Sequence, residues 1–397
     1  MKRLKKMKRW GMALLAALTL TAGAARAEIV PAVVPDGHIT QSVVIDGKDV
    51  AVDADIYGGT VQEVQAYRVW PRNDGDSPAD VSVWLGDSEI VDRRAKRTEN
   101  DVYMRAESGA RLWLTSYLTR FEGASRERLD AEGYYFLKLY DWADSTNTYP
   151  ERVEMDELEN FTVEEAIAKL EPMMNEIGVT LEAQPFYGFT VSLDKLETAL
   201  AAHLDYGVSP TETIVEDWST ADEHYRLRLP TRLHGLPVMP WRVNMNTLAG
   251  EETADASVCA WISRQGVEFM DIEFVSGREE AVGEPFAPIS AQEALDACAR
   301  EARSTVKEWG LGEKNLHYTG VNDPRVSEMK LGYVLCPEGD GESCLARPAW
   351  FFRIIYDTVA LHAVSDWGDG PVEHEEAETW SQTVAVDAET GDMLLRW

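Results

Sequence analysis

Phe161-Thr162-Val163-Glu164-Glu165-Ala166-Ile167 and, at an offset of 128 residues, Ile289-Ser290-Ala291-Gln292-Glu293-Ala294-Leu295 share one design. In each, a hydroxyl residue precedes an apolar-periodic run and a glutamate follows three positions on. That is the capping-box signature of a helix start. From Thr162 the apolar positions are Val163, Ala166, Ile167, Leu170, Met174 and Ile177, and Gly178 supplies a stop. Pro172 inside this run predicts a kink. Leu193, Leu196, Leu200 and Leu204 predict a further helix. From Ser290 the apolar face is Ala291, Ala294, Leu295, Cys298, Ala302, Val306 and Trp309, with Gly310 as stop.

Downstream of each helix the pattern changes to strand-like alternation. The first set is Tyr225–Leu229, Leu236–Met239, Val258–Ile262 and Val267–Phe274. The second is Leu331–Leu335, Trp350–Tyr356, Thr383–Val386 and Met393–Leu395. Each set ends in turn-rich sequence, Ser263–Gly266 and Asp387–Gly391. A helix followed by consecutive antiparallel strands predicts a layer in which the helix covers one sheet face. The expected fold is therefore α+β. A signal segment at 1–27 and a β-rich N-terminal region at 28–154 precede two tandem helix-plus-antiparallel-sheet modules, 155–285 and 286–397. In the N-terminal region Asp46-Gly47, flanked by Val43–Ile45 and Val50–Ile56, predicts a hairpin. Tyr67–Trp70, Arg111–Tyr117 and Gly133–Trp142 read as strands, Val81–Leu85 as a short helix, and Asp144–Arg152 as a linker.

The stretch Val384-Ala385-Val386-Asp387-Ala388-Glu389-Thr390-Gly391-Asp392-Met393 resembles the final hairpin of PepSY-type modules, and Glu165-Ala166 and Glu293-Ala294 resemble their preceding helix. The layout also resembles an uncharacterised secreted or lipoprotein-type family of Gram-positive anaerobes and, more distantly, the extracytoplasmic YycH/YycI regulators of a cell-wall sensor kinase. The resemblance covers roughly residues 155–397. It implies a module that inhibits, chaperones or regulates a protein partner at the cell surface. It carries over no functional residue. The lipidation cysteine of the lipoprotein members is absent from the start of this chain.

The 397 residues are 45% hydrophobic and 27% charged, enough apolar material to exclude global disorder. Lys2, Arg3, Lys5, Lys6, Lys8 and Arg9, the apolar stretch Trp10–Ala22 and Ala25-Arg26-Ala27 make a secretory signal peptide. Cleavage is expected between Ala27 and Glu28. The chain counts 38 basic and 69 acidic residues, net −31; losing the seven basic residues of the signal leaves 31 against 69, net −38. Such a charge repels phosphates and anionic lipid, so nucleic acid and anionic membrane are not expected as partners; no later stretch approaches 18 apolar residues, so stable membrane insertion after cleavage is not expected either. Basic proteins, cations and neutral ligands remain.

Four cysteines lie in the second half: Cys259, Cys298, Cys336 and Cys344. Outside the cytoplasm an even count points to disulfides, with three connectivities. Cys336 and Cys344 flank the turn-rich Pro337–Ser343 and are expected to bridge a hairpin tip. Cys259, on a strand, and Cys298, on the buried helix face, are candidates for a second bridge. Spacing argues against zinc, because no C-x-x-C occurs.

No complete catalytic motif is present. Gly86-Asp87-Ser88 is similar to the nucleophile block of GDS-type esterases, but the D-x-x-H that would supply the base is missing. His374-Glu375-Glu376 begins like a zincin motif, with Glu378 where the second histidine belongs. Asp366, Asp369, Glu373, Glu375, Glu376 and Glu378 read as a solvated acidic loop, with calcium as the alternative. Tyr134, Tyr135, Phe136, Tyr140 and Trp142 are suited to hairpin packing or to a glycan platform. There is no P-loop or complete dinucleotide fingerprint, and no cofactor is expected. The leading expectation is a non-enzymatic extracytoplasmic protein that binds a protein or peptide partner through a sheet edge or groove. The alternative is a secreted hydrolase or glycan-binding protein using the aromatic and acidic residues.

Overall fold

Asp46 and Gly47 both adopt positive φ, 51° and 76°. This two-residue turn matches the twist of the strands it joins, Gly37–Ile45 and Lys48–Tyr57. The hairpin belongs to a computed structural model that describes residues 29–395 apart from 32, 73–79, 96–101, 115–118, 126–147, 151–154, 199–216, 240–255, 273, 303–315, 319–321, 339–342 and 365–371. The signal segment and its expected cleavage point, Ala27-Glu28, lie outside the described residues, as do Gly133–Trp142.

Lys48–Tyr57 runs parallel to Asn322–Pro337. Asn322–Pro337, Cys344–Val364, Val372–Asp387 and Met393–Leu395 follow as an antiparallel meander. Val64–Pro71 pairs with Ser276–Phe286 on one side and with Cys344–Ala346 on the other. With shorter strands these make a sheet of 14 strands among the described residues. Glu182, fully buried in it, accepts from Arg232 and from Lys330, each at 3.2 Å, and Lys330 lies 4.9 Å from the Tyr57 ring centroid. Two cations on one carboxylate offset much of the cost of burying these charges.

The second sheet has eight antiparallel strands in the order Tyr187–Val191, His224–Leu229, Val258–Ser263, Val267–Ile272, Thr119–Glu122, Arg111–Leu114, Val102–Ala106 and Ile90–Ala95. Helix α1 (Ser82–Leu85) lies beside it. The Thr162 run forms two helices, α2 (Val163–Ala168) and α3 (Glu171–Ile177), broken where Pro172 enters the first turn of the second. Gly178 ends α3 in the left-handed region. Leu170, Met174 and Ile167 seat this pair on Met104, Leu112, Ala260 and Met270, each burial contributing roughly 1.5–3 kcal/mol. Helix α4 (Ala291–Glu301) covers the first sheet with Ala294, Leu295 and Cys298 against Val52, Trp350 and Val386.

Both helix starts form the full reciprocal capping box, Thr162 with Glu165 and Ser290 with Glu293. Both are also fastened to their sheet in the same way. The Tyr225 hydroxyl donates to the Phe161 carbonyl at 2.6 Å and accepts from the Leu158 amide at 2.7 Å. The Trp350 indole N–H donates to the Ile289 carbonyl at 2.8 Å.

The expected tandem helix-plus-sheet modules are corrected by this architecture. Strand outweighs helix among the described residues, 55% against 14%, in two large curled sheets. Neither sheet is built from one stretch of chain: Thr119–Glu122 completes the sheet of Val267–Ile272, and Lys48–Tyr57 completes that of Asn322–Pro337. Helix α4 ends at Glu301, where Ala302 turns extended, short of the stop expected at Gly310, and Thr148–Pro150, inside the expected linker, is a strand on Trp380–Gln382. Alternation marks a strand but not its neighbour, because the backbone ladder is the same for every partner.

Replacing Tyr225 by Phe should cost about 1–3 kcal/mol, since a buried amide and a buried carbonyl lose their partner while the ring still packs. Urea unfolding checks it: the midpoint should fall with the slope unchanged.

Candidate functional site

One face of the eight-stranded sheet is closed by α2 and α3, and the register fixes what stands on the other. One row reads Arg94, Tyr103, Trp113, Arg120, Asp271, Cys259, Arg228 and Tyr187 across the strands. The next reads Asp92, Arg105, Arg111, Glu122, Phe269, Trp261, Arg226 and Phe189. Six arginines meet three carboxylates here, in a chain whose net charge is −31.

The arginines are ordered by stacking and by pairing. Arg226 lies 3.5 Å from the Trp261 centroid and 5.8 Å from that of Phe189, and its Nε donates to His224 at 3.0 Å. Arg120 donates to Asp271 at 2.6 Å and lies 5.8 Å from the Phe269 centroid. The Tyr103 and Trp113 rings meet at a tilt of 53°, their centroids 5.1 Å apart. Arg94 pairs with Asp92 at 2.6 Å, and Arg111 with Glu122 at 3.6 Å. Flat guanidinium groups between aromatic faces keep their charge while losing little rotamer freedom.

The face divides in two by exposure. Arg226 and Arg228 are each 6% exposed, in a part of the face where Phe189 and Val191 pack with Leu196. Towards the other end Arg120 and Arg94 have side chains 39% and 69% exposed, and Arg105 is exposed. That end finishes in Ile90–Ala95, the last strand of the sheet, with Ile90 39% and Val91 50% exposed.

The residues singled out in the sequence lie elsewhere. Ser88 sits in the turn before Ile90–Ala95, and its hydroxyl accepts the Ser108 amide at 3.0 Å, a structural bond. His374, Glu375, Glu376 and Glu378 fall in the strand Val372–Asp387, where a helical i, i+4 ligand pair has no counterpart; Asp366 and Asp369 lie outside the described residues. Tyr134, Tyr135, Phe136, Tyr140 and Trp142 also lie outside them. Among the described residues no group of three or more His, Cys, Asp or Glu is arranged to hold a metal ion. No described helix is long and apolar enough to cross a membrane.

None of the four cysteines is in a disulfide. The expected Cys336–Cys344 bridge fails on register. Cys336 stands opposite Leu345 and Cys344 opposite Pro337, so the two thiols point to opposite faces. Cys344 packs with Val69 and Tyr333, and Cys336 against Val334 and Phe351. Cys259 stands on a strand of the eight-stranded sheet, whereas Cys298 is on α4, buried in the core of the other sheet. Burial pushes the Cys298 thiol up to about 12 and raises Cys336 too, which suits packing rather than nucleophilic chemistry.

The arginine–aromatic face was missed in the sequence because its members are spread from Asp92 to Asp271. Its signal is present within single strands: Tyr103-Met104-Arg105, Arg111-Leu112-Trp113 and Arg226-Leu227-Arg228 alternate an apolar core residue with Arg or an aromatic.

No family model matches the chain, and no curated protein matches it. A solved structure does: an uncharacterized protein from Eubacterium rectale, with a TM-score of 0.55 at 12% sequence identity, covering 90% of this chain and 94% of that one. At that identity the likeness establishes a shared fold and nothing of activity.

A separate titratable cluster sits on the hairpin. His38 contacts Asp55 through Nδ1 and Asp53 through Nε2, both at 2.9 Å. These hydrogen bonds, that of Asp55 first, raise its pKa above the ordinary 6.5. Its contribution to stability is therefore complete below pH 6.5 and lost as pH rises through the raised value. Melting temperature followed across that range should fall more steeply for the natural protein than for His38→Gln.

Proposed function

We propose that this chain is a non-enzymatic extracytoplasmic protein that binds a protein or peptide partner at the cell envelope, by adding a strand of that partner to the edge Ile90–Ala95. The observation that carries this reading is the edge itself. Among the described residues it pairs on one side only, with Val102–Ala106. Two of the four exposed large hydrophobic residues of the described chain, Ile90 and Val91, are on it. A terminal strand presents backbone donors and acceptors to a neighbour, and such edges are otherwise guarded against unwanted pairing. Export rests on the basic and apolar signal segment. The Ser88 hydroxyl, engaged with a backbone amide, favours binding over ester hydrolysis.

The test is capture by the protein lacking residues 1–27, exposed to envelope extract. The partner retained by the natural sequence should be retained equally by Ser88→Ala and by His374→Ala. The double variant Ile90→Lys, Val91→Lys should lose it by at least about tenfold, while its melting curve stays that of the natural protein. Hydrolysis of an ester, glycan or peptide by the purified protein, abolished in Ser88→Ala, would replace this reading with the hydrolase.

A further inference from the structure

We infer that the molecule has a second strand-addition edge, Gly37–Ile45, which takes an extended protein segment alternating Lys or Arg with aliphatic residues; this site is separate from Ile90–Ala95 and does not depend on it. Among the described residues Gly37–Ile45 has one ladder, with Lys48–Tyr57, in unbroken register. The two-residue turn makes Ile45 and Lys48 a hydrogen-bonded pair, and alternation then commits Val43, Gln41 and Ile39 to the same neighbour. The N–H and C=O groups of His38, Thr40, Ser42 and Val44 point the other way, out of the sheet. Sheet edges are commonly guarded by charges, prolines or bulges. Ser276–Phe286, which also pairs on one side only among the described residues, has all three: Arg278, Glu279, Glu280 and Glu284, then Pro285, and breaks of register. Gly37–Ile45 has none of them; its one titratable residue is His38.

The side chains around this edge select its occupant. On one face Ile39 and Val43 are half-buried in the core that α4 covers, and Gln41 donates to Gln292 of α4 at 3.4 Å. Aliphatic side chains of an added strand would gain burial against Ile39 and Val43. The other face carries His38, Thr40, Ser42 and Val44, the last 56% exposed, and behind them on the next strand Asp55, Asp53, Ala51 and Asp49. Three carboxylates thus stand one strand in from the edge, about 4.8 Å behind it. His38 bonds to Asp53 and Asp55; even protonated, it leaves the row of three at −2. Lys48 belongs to the opposite face, that of Val50 and Val52. The third strand supplies no surplus cation: Arg325 is paired with Asp357 at 3.7 Å, and Glu328 lies 3.6 Å from Lys330. Long basic side chains of an added strand reach across the edge to this row. The net charge of −31 acts in the same direction at longer range. A second copy of the chain fits less well, because it brings the same acidic row and the same net charge to the contact.

Fluorescence anisotropy tests this with the protein lacking residues 1–27 and two labelled decapeptides, five Lys-Val repeats and five Glu-Val repeats. The basic peptide should bind at least about tenfold more tightly and weaken as salt is raised. Ser42→Pro removes an outward N–H while the ladder to Lys48–Tyr57 keeps its bonds, so binding should fall at least about tenfold with the melting curve little changed. Val44→Lys, at an exposed position, should weaken the basic peptide several-fold by charge alone. Asp49→Asn with Asp53→Asn should erase most of the preference between the peptides. Ile90→Lys with Val91→Lys should leave binding unchanged. Loss of binding in that variant but not in Ser42→Pro or Val44→Lys would overturn this inference and leave Ile90–Ala95 as the seat of the peptide. Binding indifferent to Ser42→Pro and Val44→Lys alike, equal binding of the two peptides, or no binding of either would overturn it as well. A concentration-dependent dimer in sedimentation that Ser42→Pro dissolves would overturn it in favour of a second copy at the same edge.

Discussion

The larger sheet depends on the strand Cys344–Val364. It has ladder partners on both sides: Val64–Pro71 and then Val372–Asp387 along one flank, Asn322–Pro337 and then Leu316–Tyr318 along the other. A strand of 21 residues flanked in this way commits its buried backbone groups to hydrogen bonds, which is the condition for burying them at all. Trp350, Phe352 and Ile354 then point to the core under α4, while Phe351 and Ala349 serve the opposite side. Both faces of this part of the strand are apolar because both are covered.

The smaller sheet solves a different problem. One face carries the apolar stripe that α2 and α3 need; the other holds Arg226 and Arg228, the buried arginines among the described residues, together with the more exposed Arg120. Stacked between Phe189, Trp261 and Phe269, they are held without requiring a carboxylate for each.

What was legible in the sequence is what a few adjacent residues decide. Thr162 with Glu165 and Ser290 with Glu293 fix helix starts because the cap closes within four residues. Asp46-Gly47 fixes a hairpin because both positions require positive φ. Strand partnership was not legible: nothing in Val50–Ile56 announces a parallel neighbour near residue 326. The cysteines show how small the missing information can be. A shift of one residue in the pairing of Pro337 with Cys344 would have set Cys336 and Cys344 on one face; the actual register separates them. The arginine–aromatic face required the whole strand order of the second sheet, which no local pattern encodes.

Pairing Lys48–Tyr57 with a strand some 275 residues further along has a kinetic consequence. Mean sequence separation of contacts sets folding speed, and closing so long a loop comes before any reward from its contacts. A chain that emerges from its N-terminus must carry the 37–57 hairpin with one flank unsatisfied until Asn322–Pro337 arrives. During that interval Val50 and Val52, buried in the finished molecule, stand on an open strand edge, the kind of surface on which nascent chains associate with one another. The same long-range strand that gives the finished molecule its continuity thus makes its assembly a late, all-at-once event, and places the period of greatest vulnerability before the last quarter of the chain has been delivered.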